Sequence, residues 1–364
     1  MFKFSDLQLP VVQAPMAGGI NTPELAAAVV QAGGLASFGF AYSSPEKIDA
    51  DLTQTKKLLE QGDITGDGLS RINANFFVFE PVQLPSQEIV DAAIQDLKSL
   101  NLDAEFNLTI PQAPYFPDLE VLLEPIWQHR PGVLTFHFGL PPLSVMKKAH
   151  DLGICVGVTA TSVREALLIQ DAGADFVVAQ GIEAGGHRGT FDAQALHDAK
   201  LSIDDLVKAL KSVISLPIVA AGGLMTGGDI YRVIQKGAVA AQMGTAFLGV
   251  NESGASAAHR QALATGSDCS NVSRTVFTRA FSGRLARGLE NQFIEKMADK
   301  TYLPFPMQNT LTGPLRQWAV KANQADYQSL WLGREYQRAR LCSVADVMKL
   351  LTQEYQAALH SEGI

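Results

Sequence analysis

The chain has 364 residues, of which 47% are hydrophobic and 18% charged, against about 25% charged in an ordinary soluble domain. That balance demands a large buried core and excludes a disordered chain. A net charge of −8 leaves no electrostatic footprint for nucleic acid or an anionic membrane.

Along the chain, short apolar runs alternate with longer stretches of helical period. The runs fall at 11–16, 35–40, 72–79, 133–138, 154–160, 176–180, 218–221 and 238–247. Helices are predicted after them at 23–32, 45–60, 143–151, 163–172, 203–213 and 229–236. Thr22 before Pro23 and Ser44 before Pro45 are start signals, a capping hydroxyl followed by proline in the first turn. The runs do not alternate in and out. They are apolar at nearly every position, as parallel strands buried on both faces must be. Eight such strands with helices between them predict an α/β protein built as a TIM (β/α)8 barrel. A doubly wound sheet fits less well, because its glycine fingerprint follows strand one, whereas here the glycine motifs follow strands six, seven and eight.

Two segments stand outside this rhythm. Residues 80–130 separate strands three and four and contain helical patches at 87–100 and 119–129 around a centre with Pro111, Pro114 and Pro117. Residues 251–364 look mostly helical, with turn signals at Gly266, Gly283 and Gly313-Pro314. The expected organisation is a barrel over 1–250, with a partly structured excursion at 80–130, and a smaller helical lid over 251–364. Cys155, Cys269 and Cys342 are far apart and form no CxxC, which excludes a disulfide framework and a zinc ribbon. The N-terminal MFKFSDLQLP has no signal-peptide pattern, and no apolar stretch reaches the ~18 residues of a membrane span. A cytoplasmic location is expected. No His/Asp/Glu cluster has metal-ligand spacing, so no metal is expected.

Barrel enzymes carry their chemistry at the C-terminal ends of the strands, often with a phosphate held after strands seven and eight. Here strand seven ends in Ala221-Gly222-Gly223 and strand eight in Gln242-Met243-Gly244-Thr245. Singly, such glycines need do no more than permit a tight turn. Together, at adjacent strand ends, they suit backbone N–H groups closing on a phosphate, with the Thr245 hydroxyl adding a donor. Strand six runs into Gln180-Gly181-Ile182-Glu183-Ala184-Gly185-Gly186-His187-Arg188-Gly189, which lets backbone pass close to a bulky ligand and sets His187 at the mouth as a proton carrier. Glu183 and Arg188 are charges beside that site or solvated loop residues. His137, ending strand four, is a second histidine of interest; His129, His150, His197, His259 and His360 are read as surface residues. Strand one ends in Ala14-Pro15-Met16, which could lie against a planar ligand, and strand three offers Asn73 and Asn75 on one face. Amides at Asn75 and Gln180 suit a polar ring edge. Cys155, inside strand five, is read as inert core. A phosphate grip, amides and a histidine over a ring describe a site for flavin mononucleotide (FMN).

With these motifs the sequence resembles the nitronate monooxygenases, most of all their class I members. The matching segments are Gln13-Ala14-Pro15-Met16-Ala17-Gly18 with Thr22, Asn73-Ala74-Asn75-Phe76, Phe136-His137-Phe138-Gly139-Leu140-Pro141, 180–189, 221–223, 242–245 and Ser282-Gly283-Arg284. They run through the whole chain in the family's order. The stretch 183–189 is the most specific, although flavin-dependent enoyl-acyl-carrier-protein reductases carry a related one. The resemblance implies FMN, and oxidation of alkyl nitronates, and in some members nitroalkanes, by O2 to a carbonyl compound and nitrite. It gives His187 the catalytic role and assigns Asn75, Gln180, Gly185, Gly222, Gln242, Gly244 and Thr245 to FMN. Gly186, Gly223 and Met243 join them from the glycine turns, as do Ala14, Pro15 and Met16. It aligns Tyr302, Asn309 and Arg316 with a substrate-facing segment, beside His137, while Gln308 stands where the family has a lysine. An NAD(P)H-dependent flavin reductase and a non-catalytic flavin-binding barrel are the competing readings.

Overall fold

The computed structural model describes residues 1–62, 68–102, 106–195, 198–267 and 274–361. Eight parallel strands form one sheet: β1 (Val11–Gln13), β2 (Ala36–Gly39), β3 (Ile72–Phe77), β4 (Val133–His137), β5 (Cys155–Ala160), β6 (Phe176–Gln180), β8 (Ile218–Ala221) and β9 (Ala240–Met243). The two-residue β7 (Gly186–His187) lies outside it. The order β1-β9-β8-β6-β5-β4-β3-β2 closes on itself, because Leu35, just before β2, bridges Val12 of β1. Leu35 N–H donates to Val11 (3.0 Å) and Gln13 N–H to Leu35 (2.9 Å). Closure leaves no strand edge to protect, and the molecule is a TIM barrel as expected.

The helices start where their side chains satisfy the first free backbone N–H groups. Thr22, Ser44, Ser162 and Ser202 each accept a hydrogen bond from the third helical residue, and Thr226 with Asp229 forms a capping box; each cap is worth about 1 kcal/mol. The apolar strand residues divide between two cores. Val11, Phe38, Phe76, Phe136, Val156 and Val177 point outward against the helices. Val12, Val133, Phe176, Val178 and Val219 point inward and fill the N-terminal end of the barrel, where Phe4 meets Phe176 edge-on. Cys155 sits in this plug, and burial pushes its thiol up to about 12, which makes it an inert packing group. Towards the mouth the inward row turns polar, with Asn75, Thr159 and Gln180. A layered interior of this kind is filled below and usable above.

Three segments pack in ways that chain order alone does not reveal. Helix Leu119–His129 packs on helix Pro45–Gln61 and contributes Leu122, Leu123 and Ile126 to the barrel core, so it is the crossover between β3 and β4. The last helix, Val344–Ser361, packs on the barrel helices Gly227–Gln235 and Pro23–Gln31 and completes the outer ring. Third, within the mostly helical segment after Val250, β10 (Thr275–Thr278) and β11 (Ala286–Leu289) form an antiparallel hairpin, and β11 pairs with β7. What remains forms a separate core over the mouth. Val90, Ala93 and Leu97 from the excursion join Phe281, Phe293, Met307 and Leu315 there. The excursion and the late segment share one hydrophobic cluster because neither buries its apolar face alone.

Candidate active site

The strand registers bring the expected residues to one rim. Gln180 pairs with Ala221 and Ala221 with Gln242, while Phe77 pairs with His137. After β1, Ala14 N–H donates to the Met243 carbonyl (2.9 Å), which places Ala14 and Met16 beside the end of β9. The Met243 side chain faces outward into the helix core, so only its backbone reaches this rim.

His187 is fixed from two sides. Its backbone lies in β7, paired with Ala286 of the hairpin. Its carbonyl accepts from Gln180 Nε2 (2.9 Å) and from His137 Nε2 (3.3 Å). Its ring Nε2 lies 2.9 Å from Ser282 Oγ, which donates to the Arg284 carbonyl (3.1 Å). With the serine proton so committed, the imidazole donates from Nε2 and keeps Nδ1 as its basic nitrogen. Phe77, Phe138, Phe305 and Trp331 surround the ring at centroid distances of 5.6–6.2 Å. Phe138 holds a φ of +78°, a costly conformation for a bulky residue of the kind that collects at functional sites.

Two guanidiniums act on His187 in this mouth. Arg284 is buried with its guanidinium carbon 3.8 Å from the Phe138 ring centroid; it donates to the Thr190 carbonyl, and its Nε has no partner among the described residues. Arg316 donates from Nη2 to the Asn309 carbonyl (2.6 Å) and Oδ1 (2.9 Å), and its Nε likewise has none. Neither forms a salt bridge among the described residues. Burial first, then His137 and the two guanidiniums, pushes His187 down to about 3. Burial and Arg284 push His137 down to about 3 as well. Both imidazoles are therefore neutral at physiological pH.

Several expected residues prove to be committed elsewhere. Gln180 spends its amide on the loop: Nε2 goes to the His187 carbonyl, and Oε1 accepts from Gly189 N–H (2.8 Å). It positions His187 and has little left for a ligand. Asn73 and Thr135 hydrogen-bond each other, and Asn75 Nδ2 donates to Thr135 (2.9 Å), which leaves the Asn75 carbonyl oxygen open. Arg188 is buried in an ion pair with Asp198 (2.8 Å) and also holds the Gly181 carbonyl, so it anchors the loop. The Tyr302 hydroxyl is engaged locally, donating to the Met297 and Ala298 carbonyls. Gln308 is buried between Leu303 N–H and the Ala280 carbonyl, a structural post. His259 is buried against Ser256, not at the surface; His197 and Cys269 lie outside the described residues. Ser282, Arg284 and the aromatic ring were not picked out by sequence pattern. The sequence pointed there only through the turn signal at Gly283 and the family-matching segment Ser282-Gly283-Arg284, with no role assigned to either side chain.

The glycine turns fit a bulky phosphorylated ligand. Gly222 and Gly223 have φ of +126° and +67°, which only glycine adopts freely. A Cβ on Gly185 would stand 2.5 Å from the Leu332–Gly333 backbone. Gly244 differs: a Cβ there would project into space bounded by Ala14 Cβ (3.5 Å) and Met16 Sδ (3.9 Å), a cradle left for something other than protein. Thr245 Oγ accepts Gly333 N–H (3.0 Å) and keeps its own proton to donate. Gln242 is half-buried at the same rim. Pro15 and Gly186 are half-buried as well. Among the described residues no group of His, Cys, Asp or Glu could hold a metal ion.

Comparison with known proteins agrees on the whole chain. A family profile described as nitronate monooxygenase matches residues 1–354. A nitronate monooxygenase of Pseudomonas aeruginosa is 38% identical over 357 residues, covering 96% of each chain. A probable nitronate monooxygenase of Bacillus subtilis is 33% identical, covering 97% of this chain and 98% of the other. Among solved structures, a nitroalkane oxidase from Streptomyces ansochromogenes superposes with a TM-score of 0.89 at 34% identity, covering 98% and 99% of the two chains. FabK from Thermotoga maritima has a TM-score of 0.71 at 23% identity over 98% and 95%, a likeness of fold alone.

Proposed function

This chain belongs to the nitronate monooxygenase family and is an oxidoreductase, and on that premise we propose that it oxidises alkyl nitronates, and some neutral nitroalkanes, with FMN and O2 to a carbonyl compound and nitrite. The observation that carries this reading is a neutral imidazole under the influence of two buried guanidiniums that form no salt bridge among the described residues. A nitronate is an anion, and Arg284 and Arg316 supply the opposite charge in an apolar mouth where it counts most. A neutral nitroalkane must lose an α-proton, and the Nδ1 lone pair of His187 can take it. FMN, when bound, supplies the redox chemistry with O2. The residues present fit that group: the turns at Gly222, Gly223 and Gly244 with Thr245 would hold its phosphate, Ala14, Pro15 and Met16 one face of its ring, and Asn75 and Gln242 its polar edge. Gln180 holds the His187 loop beside it. The cluster around Phe281 and Phe293 acts as the lid that excludes water. His137, Asn309 and Arg316 face the substrate.

The same reading makes this a cytoplasmic enzyme of small molecules, acting on neither nucleic acid nor membrane. Among the described residues no helix is long and apolar enough to cross a membrane. The test is product analysis with ethyl nitronate and nitroethane. The protein purified with FMN should consume O2 and release nitrite from both. His187→Asn should keep most of the nitronate reaction and lose the nitroethane reaction by at least ~100-fold, the span of a general base. No nitrite from any nitronate would refute the reading.

A further inference from the structure

A cavity of about 220 Å³ opens beside the glycine turn after β8, lined by Gly222 and Gly223 and by Arg232, Arg334 and Arg338. Two of these guanidiniums are already neutralised. Arg232 pairs with Asp204 and Asp229 (3.3 Å), and Arg338 with Asp229 (3.0 Å) and Glu335 (3.8 Å). The Arg334 guanidinium has no hydrogen bond or ion pair among the described residues. Its backbone, by contrast, is pinned. Arg334 N–H donates to the Glu183 carbonyl (2.9 Å), and the preceding Gly333 N–H donates to Thr245 Oγ (3.0 Å). Position 334 is thus held between the loop after β6 and the turn after β9, across the mouth of the glycine turn between them.

Three carboxylates line this cavity; Asp204 is taken by Arg232, and Glu183 and Glu335 lie against the glycine turn. A Cβ on Gly223 would stand 3.0 Å from Glu183 Cβ and 3.6 Å from Glu335 Cγ. Glu183 turns its Oε2 to Ile203 N–H (3.1 Å), and Glu335 leans on Arg338. A phosphate dianion next to both is repelled unless a free cation faces it. An arginine fork matches two phosphate oxygens at once.

We propose that Arg334 is the cation that binds the terminal phosphate of FMN across the Gly222-Gly223 turn. This rests on the flavin reading above. The experiment is equilibrium titration of the apoprotein with FMN and, separately, with riboflavin, which lacks the phosphate, followed by quenching of flavin fluorescence. It is done on the wild type, Arg334→Gln and Arg334→Lys. Arg334→Gln should raise the FMN Kd by roughly 10- to 100-fold and leave the riboflavin Kd within about twofold. Arg334→Lys should restore part of the loss, and added salt should weaken FMN less in Arg334→Gln than in the wild type. An unchanged FMN Kd, or equal losses for FMN and riboflavin, overturns the assignment to Arg334. A wild type that binds neither flavin overturns the flavin reading itself, an outcome distinct from both.

Discussion

Replacing Ser282 by alanine isolates the contact that orients His187. Ser282 Oγ receives the imidazole Nε2 at 2.9 Å and also bridges the Arg284 N–H (3.3 Å) and carbonyl (3.1 Å). Removing the hydroxyl frees the ring about its side-chain torsions and lets either tautomer form. One neutral hydrogen bond is worth about 0.5–1.5 kcal/mol net, and each ~1.4 kcal/mol of barrier is tenfold in rate. The expected loss in kcat/KM for nitroethane is therefore about 3- to 10-fold, because that reaction needs Nδ1 aimed at the α-carbon. Ethyl nitronate has no proton to lose, so its kcat/KM should fall by less than about threefold. Ser282→Thr, which keeps the hydroxyl, should stay near the wild type. Steady-state O2 uptake with both substrates at one pH reads the split. Equal losses for the two substrates, or none for nitroethane, would refute the base role drawn from this geometry.

Other consequences are open to simple measurements. Gly185→Ala drives a Cβ against the Leu332–Gly333 backbone at 2.5 Å; thermal melting should show about 1–3 kcal/mol lost, and purified protein should carry less flavin. His137 and His187 are both held near 3 against an ordinary 6.5. The unfolded chain therefore takes up their protons first, and apoprotein stability, full above pH 6.5, falls as pH drops towards 3 by about 1.4 kcal/mol per unit for each histidine. In His137→Asn, denaturant titrations across pH 4–6, a range set by those shifts, should give a slope shallower by about that amount. Tyr302→Phe should leave nitronate kcat/KM within about twofold, since its hydroxyl is occupied by the Met297 and Ala298 carbonyls; a tenfold loss would restore it to the substrate site.

The barrel was legible because its strands are buried on both faces: runs such as 133–138 and 154–160 are apolar throughout, and no other architecture needs eight of them. His187 was legible because glycines crowd around it. What escaped the sequence depends on contacts between distant segments. The β10–β11 hairpin has strands of four residues, too short for a periodic signal, yet it places Ser282 and Arg284 beside His187. Helix Val344–Ser361 carries an ordinary amphipathic pattern that says nothing of which surface it covers, and it covers the barrel. Gln180 reads as an amide free for a ligand until its partners at His187 and Gly189 are known. Tyr302 fits a substrate segment by resemblance, but its hydroxyl is held by local carbonyls that the resemblance does not reveal.

Anaerobic mixing of the flavin-loaded protein with ethyl nitronate tests the central claim most directly. The reading predicts that the nitronate bleaches the visible flavin absorbance within seconds and that NADPH does not. Bleaching by NADPH with no response to any nitronate would contradict it and identify a pyridine-nucleotide-dependent reductase built on the same barrel.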